Sequence, residues 1–224
     1  MKIVISKEIK NFMRYAKQIS EIEGRETGFL FHYFNLPIQN NVDKPDIFHT
    51  ELIVGQKMYI HLRSKYSNFL SGLENKIVIC GSFHTHSNKK YLDSYENEKV
   101  SDENRLAYVK KCCQSYLSFN DLKTLLANIV KRDPVCMITC VLSDIDNQVS
   151  YYVPKKHVSI EEFESIHNRL RSDCQLQACT ETIDTQKGSV TFPTSEYRKT
   201  YGYVFDLFDE NKFDLNSEET IIDI

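Results

Sequence analysis

A chain of 224 residues, 41% hydrophobic and 26% charged, is long enough for one well-cored domain with an extension and too short for several independent ones. A formal net charge of −3 argues against a dominant nucleic-acid-binding surface. Seven cysteines without a CxxC pair speak for a reducing compartment and against a secreted disulfide scaffold.

In chain order, the segment MKIVISKEIKNFMRYAKQ carries charges every few residues. It therefore has neither the apolar core of a signal peptide nor a run of about 20 residues that spans a bilayer, and a soluble cytoplasmic protein with no membrane partner is expected. Lys2–Ile5 reads as a short strand. Ser6 then stands as an N-cap with Ile9, Phe12, Met13 and Ala16 at helical spacing, which predicts a helix to about Ser20. Glu26 to Phe34 has the aromatic and apolar composition of a buried strand. Ile47–Val54 reads as another strand, and Met58–Phe69 as a helix.

Lys76 to His86 begins as a β-branched core strand and ends in His84-Thr85-His86. The polar segment 87–116 lacks a sustained apolar face until Leu106, Ala107 and Val109, so a loop followed by a short helix is expected there, as an insertion. Ser118 is a good N-cap for a helix carrying Leu122, Leu125, Leu126, Ile129 and Val130, which ends before Pro134. Val135–Leu142 and Gln148–Val153 predict a hairpin through the turn Ser143–Asn147. Ile160–Leu170 predicts a helix, followed by a polar stretch around Asp173–Ser189 and an acidic tail from Asp206. Cys136 and Cys140 fit a core strand as small hydrophobes, Cys112-Cys113 is given no role, and His32, His49, His61, His157 and His167 have no partner at ligand spacing.

Residues i and i+2 of a strand share a face, so His84 and His86 can offer two imidazoles to one ion. A catalytic zinc needs a third protein ligand and one open position, and an acidic side chain in the first turn of a nearby helix, such as Asp121, can supply it. Glu26, at a strand start, is a carboxylate able to move a proton without binding metal.

Glu26-Thr27-Gly28-Phe29-Leu30-Phe31, then Gly81-Ser82-Phe83-His84-Thr85-His86, then Leu117-Ser118-Phe119-Asn120-Asp121, in that order, resemble the motif of the JAMM, or MPN-plus, metalloproteases, also called JAB domains. The resemblance covers roughly residues 1–155 and implies an α/β (α+β) fold with a mixed β-sheet flanked by helices, of the cytidine-deaminase-like type. Residues 87–116 would be an insertion in that domain and 156–224 a C-terminal extension packed on it. By the resemblance, His84, His86 and Asp121 would bind zinc, Glu26 would be the general acid/base, and Ser118 would donate to the oxyanion. The implied substrate is a peptide or isopeptide bond after the tail of ubiquitin or a ubiquitin-like protein. A non-catalytic scaffold of the same fold and a peptidase acting on another substrate are the rival readings. The sequence departs from the family pattern at Ser87, where proline is common, and in the 35 positions between His86 and Asp121, where about a dozen is usual. Asp93 and Asp102 lie nearer the histidines, but only Asp121 combines a serine three residues earlier with a following apolar helix.

Overall fold

The computed structural model describes residues 2–34, 47–49, 51–55, 77–98, 103–114, 116–130, 138–173 and 179–224. The first strand, β1 (Lys2–Ile5), leads into helix α1 (Lys7–Glu23). Ser6 caps α1 by accepting the Ile9 N–H, and Gly24 ends it at φ 62° with its N–H donated to Ser20, three residues beyond the expected limit. Strand β2 (Thr27–Phe34) follows. The expected strand at 47–54 is two short pieces, β3 (Phe48–His49) and β4 (Ile53–Val54), both laid along β2. The helix expected at 58–69 falls outside the described residues.

Strand β5 (Ile77–His86) is antiparallel to β2 and parallel to β6 (Ile138–Ser143). Strand β6 turns into β7 (Gln148–Pro154) as the expected hairpin. The order of the mixed sheet is β10-β7-β6-β5-β2-β3, with β4 also on β2 and β10 spanning Phe208–Asp214. On one face Phe29, Phe31, Phe83, Ile138, Cys140, Leu142 and Val149 pack under α1 through Ile9, Met13 and Ala16. On the other, Val141 and Tyr152 meet α4 (Phe119–Asn128) and α5 (Ile160–Asp173) through Leu122, Leu125, Leu126 and Leu170. The chain is thus a mixed α/β protein with a mixed sheet flanked by helices.

Segment 87–116 is not a loop with one short helix. A helix that was not expected, α2 (Lys89–Glu98), precedes the expected short one, α3 (Glu103–Cys113). Their apolar faces are narrow, with Tyr91 and Leu92 buried on one and Val109 and Cys113 on the other and Tyr95 and Cys112 partly buried beside them, and a distant hairpin covers them. That hairpin, β8 (Thr180–Thr185) with β9 (Gly188–Pro193), lies where a polar stretch was expected and contributes Ile183, Val190 and Phe192 to a third, smaller core. Two short helices, α6 (Ser195–Thr200) and α7 (Gly202–Phe205), follow.

The acidic tail is ordered as well: β10 pairs with β7 as an edge of the main sheet, and β11 (Thr220–Asp223) pairs antiparallel with β1. Asp209 and Lys212 of β10 are exposed, and partly buried Glu210 accepts the Tyr152 hydroxyl at 3.3 Å, so these charges do not disturb the core. Fully buried Lys10 of α1 ties this region down, its Nζ donating to Ser217 O at 3.2 Å and to Thr220 Oγ1 at 2.7 Å, over the Phe213 ring. Among the described residues, no helix is long and apolar enough to cross a membrane.

Candidate metal centre

Strand β5 delivers both histidines at its C-terminal end. Its other face carries Phe83 into the α1 core and Thr85 to Thr27, whose N–H donates to Thr85 Oγ1 at 3.0 Å and whose hydroxyl donates to Ala16 O at 2.8 Å. The alternation of the pleat therefore sends His84 and His86 to the opposite face, toward the start of α4. Both are buried, 6% and 5% exposed.

Helix α4 opens with a reciprocal cap: Asp121 N–H donates to Ser118 Oγ at 3.2 Å, and Ser118 N–H donates to Asp121 Oδ2 at 2.7 Å. That cap fixes the Asp121 carboxylate so that Oδ1 lies 3.1 Å from His84 Nε2 and Oδ2 lies 3.2 Å from His86 Nε2. The two Nε2 atoms are themselves 3.2 Å apart. Donors bound at about 2.0–2.2 Å to one tetrahedral ion stand about 3.3–3.5 Å from one another, so this triangle has nearly the dimensions an ion requires. Without one, two facing imidazole nitrogens share at most one proton between them. Among the described residues, His84, His86 and Asp121 form a group that can hold a metal ion. The 35-residue step from His86 to Asp121 lies in the crossover that joins the parallel strands β5 and β6, and it carries α2 and α3 ahead of α4.

Glu26 immediately precedes β2, two residues before Gly28, which pairs with His84, and it shares the small cavity that borders His86 and Ser118. This cavity, about 40 Å³, is large enough for one or two waters. Burial raises the Glu26 pKa above the ordinary carboxylate value, partly offset by the charges of His86 and His84. Burial would likewise raise Asp121, but the His84 charge and the hydrogen bonds of both histidines hold it well below the usual range. At His86, burial opposes the charged ring and is outweighed by the hydrogen bond and charge of Asp121, with Glu26 and Asp144 adding, so its pKa is raised.

The structure brings Glu26, His84, His86, Ser118 and Asp121 together. Asp93 is instead held at the surface by Lys89 at 2.8 Å, and Asp102 lies outside the described residues. Four neighbours were not foreseen. Tyr116 sets its ring edge-on to His86 at 5.2 Å and donates its hydroxyl to Thr191 O at 2.9 Å. Val190 and Ser189 of β9 wall the small cavity. Asp144 is buried beyond His86, and its pKa is pushed up to about 6 by burial, against two backbone N–H donors. Tyr116 and Asp144 flank recognised elements, but only the tertiary fold reveals what they touch. No known family model matches the chain, and no curated protein matches it in sequence.

Proposed function

We propose that the protein is a zinc-dependent hydrolase of peptide or isopeptide bonds, of the JAMM or MPN-plus type. The observation that carries this reading is the Asp121 carboxylate spanning two buried imidazoles, with a non-ligating glutamate, Glu26, and a serine hydroxyl, Ser118, bordering the same water-sized cavity. Two histidines and one carboxylate are a donor set suited to catalytic zinc. When bound, zinc supplies Lewis acidity, polarising an acyl carbonyl and making water a better nucleophile at neutral pH.

The chain's own groups do the rest. Glu26, raised in pKa by burial, takes a proton from the attacking water and returns it to the leaving amine. Ser118 Oγ accepts the Asp121 N–H with a lone pair, which leaves its proton to donate to negative charge developing on the carbonyl oxygen. The capping contact from Ser118 N–H holds Asp121 against both rings. By the motif resemblance, the substrate class is the C-terminal tail of ubiquitin or a ubiquitin-like protein joined to an amine, bound as an extended segment.

The test is metal analysis with a cleavage assay on a panel of ubiquitin-like fusions. Purified wild type should carry zinc and cleave at least one member, whereas Glu26→Gln should keep zinc and lose about 10²–10⁴-fold in rate. Wild type devoid of zinc, or undiminished cleavage by Glu26→Gln, would sink the mechanism.

A further inference from the structure

Ligation of a metal through His86 Nε2 needs the lone pair of that nitrogen, so the ring proton must sit on Nδ1. Nδ1 of His86 is fully buried and has no hydrogen-bond partner. Asp144 Oδ2 is fully buried and without a partner as well. The two residues are joined through their backbones, Asp144 N–H donating to His86 O at 3.2 Å just past the end of the β5–β6 ladder. The other carboxylate oxygen, Asp144 Oδ1, is engaged: it accepts the N–H groups of Asn88 and Lys89, each at 2.9 Å, at the start of α2. A donor and an acceptor, each buried and each unsatisfied on adjoining residues, are complementary.

We propose that Asp144 is a positioning residue for the metal ligand His86, its Oδ2 accepting the Nδ1 proton directly once the ring engages an ion, or through one bridging water. The inference rests on the reading of His84, His86 and Asp121 as a metal site. A carboxylate behind a ligating imidazole fixes its tautomer and orientation and makes it a better donor. The fixed Oδ1 contacts keep the carboxylate from turning away, so one side chain both caps α2 and backs His86.

Asp144→Asn separates the two roles. Its amide oxygen keeps the Asn88 and Lys89 contacts, while its NH₂ group cannot accept from Nδ1–H. In the full chain, the metal-free Asn variant should unfold at no lower temperature than wild type, yet bind zinc about 10–100-fold more weakly by chelator competition. Its cobalt-loaded form should have an altered visible spectrum, which a mere loss of helix capping would not produce. Equal zinc affinity with an unchanged cobalt spectrum would overturn the proposal and leave Asp144 a helix cap. Independently of any variant, nitrogen-15 spectra of zinc-loaded wild type should contain a slowly exchanging His86 Nδ1 proton, and its absence would also overturn it. A wild type that binds no zinc fails the underlying metal reading instead, and that is seen before any variant is compared.

Discussion

In the proposed metal site, proton competition at His86 would set the pH at which an ion is held. Its pKa is raised because Asp121 outweighs burial, so the metal must displace a proton from Nε2 up to and above the ordinary histidine range. The sign for the metal-free fold follows from the same shifts. His86 lends stability that is complete below its unfolded pKa and lost as pH rises through its raised folded value, whereas Asp121 lends stability present above its unfolded pKa and lost as pH falls through its lowered one. The two overlap in mild acid, where chelated protein should have its highest melting temperature. Added zinc should move that optimum toward higher pH, and melting curves with and without chelator between about pH 5 and 8 check both statements. Glu26, His84, His86, Ser118 and Asp121 were legible because each stands at an end of an element whose periodicity is visible in the sequence. Asp144 was not, since a turn already gives an aspartate a sufficient local reason.

Gly81 shows what strand β5 demands three residues before His84. A Cβ there would lie 2.5 Å from Ile138 Cγ1 and 2.6 Å from Ile138 O, and that carbonyl belongs to the neighbouring strand β6. Gly81→Ala must therefore push two central strands apart, and urea unfolding should register a loss of about 1–3 kcal/mol; an unchanged midpoint would mean that the strands yield freely. Strands β2, β5, β6 and β7 were readable from composition and alternation. The direction in which they pair was not: β5 and β6 run parallel, so segment 87–116 lies within the crossover that joins them. Helix α2 escaped notice for a related reason: its few apolar side chains suffice only because Ile183, Val190 and Phe192 of a distant hairpin complete the cluster.

Across the whole molecule, the described residues 156–173 and 179–224 are structural members of the main body. Phe213 of β10 is 6% exposed within the core under α1, beneath the Lys10 ammonium. Phe213→Ala should accordingly cost about 3–5 kcal/mol, while Ile221→Ala, at a side chain 44% exposed, should stay within about 0.5 kcal/mol; equal effects would mean that the tail packs only loosely. Composition concealed this because an edge strand such as Phe208-Asp209-Glu210-Asn211-Lys212-Phe213 buries just its ends, leaving a polar string that reads as unstructured.

The pairing of β1 with β11 has a mechanical side. Lys2 sits opposite Asp223 and Ile5 opposite Thr220, so tension applied beyond residues 2 and 223 loads this antiparallel ladder from one end. Its hydrogen bonds would give way one pair after another, as a zipper does, without sharing the force. A motor that grips the chain at either end would thus meet little resistance at first, and the seam it opens uncovers Ile3, Ile5 and Ile222, the side chains that close the core beneath α1.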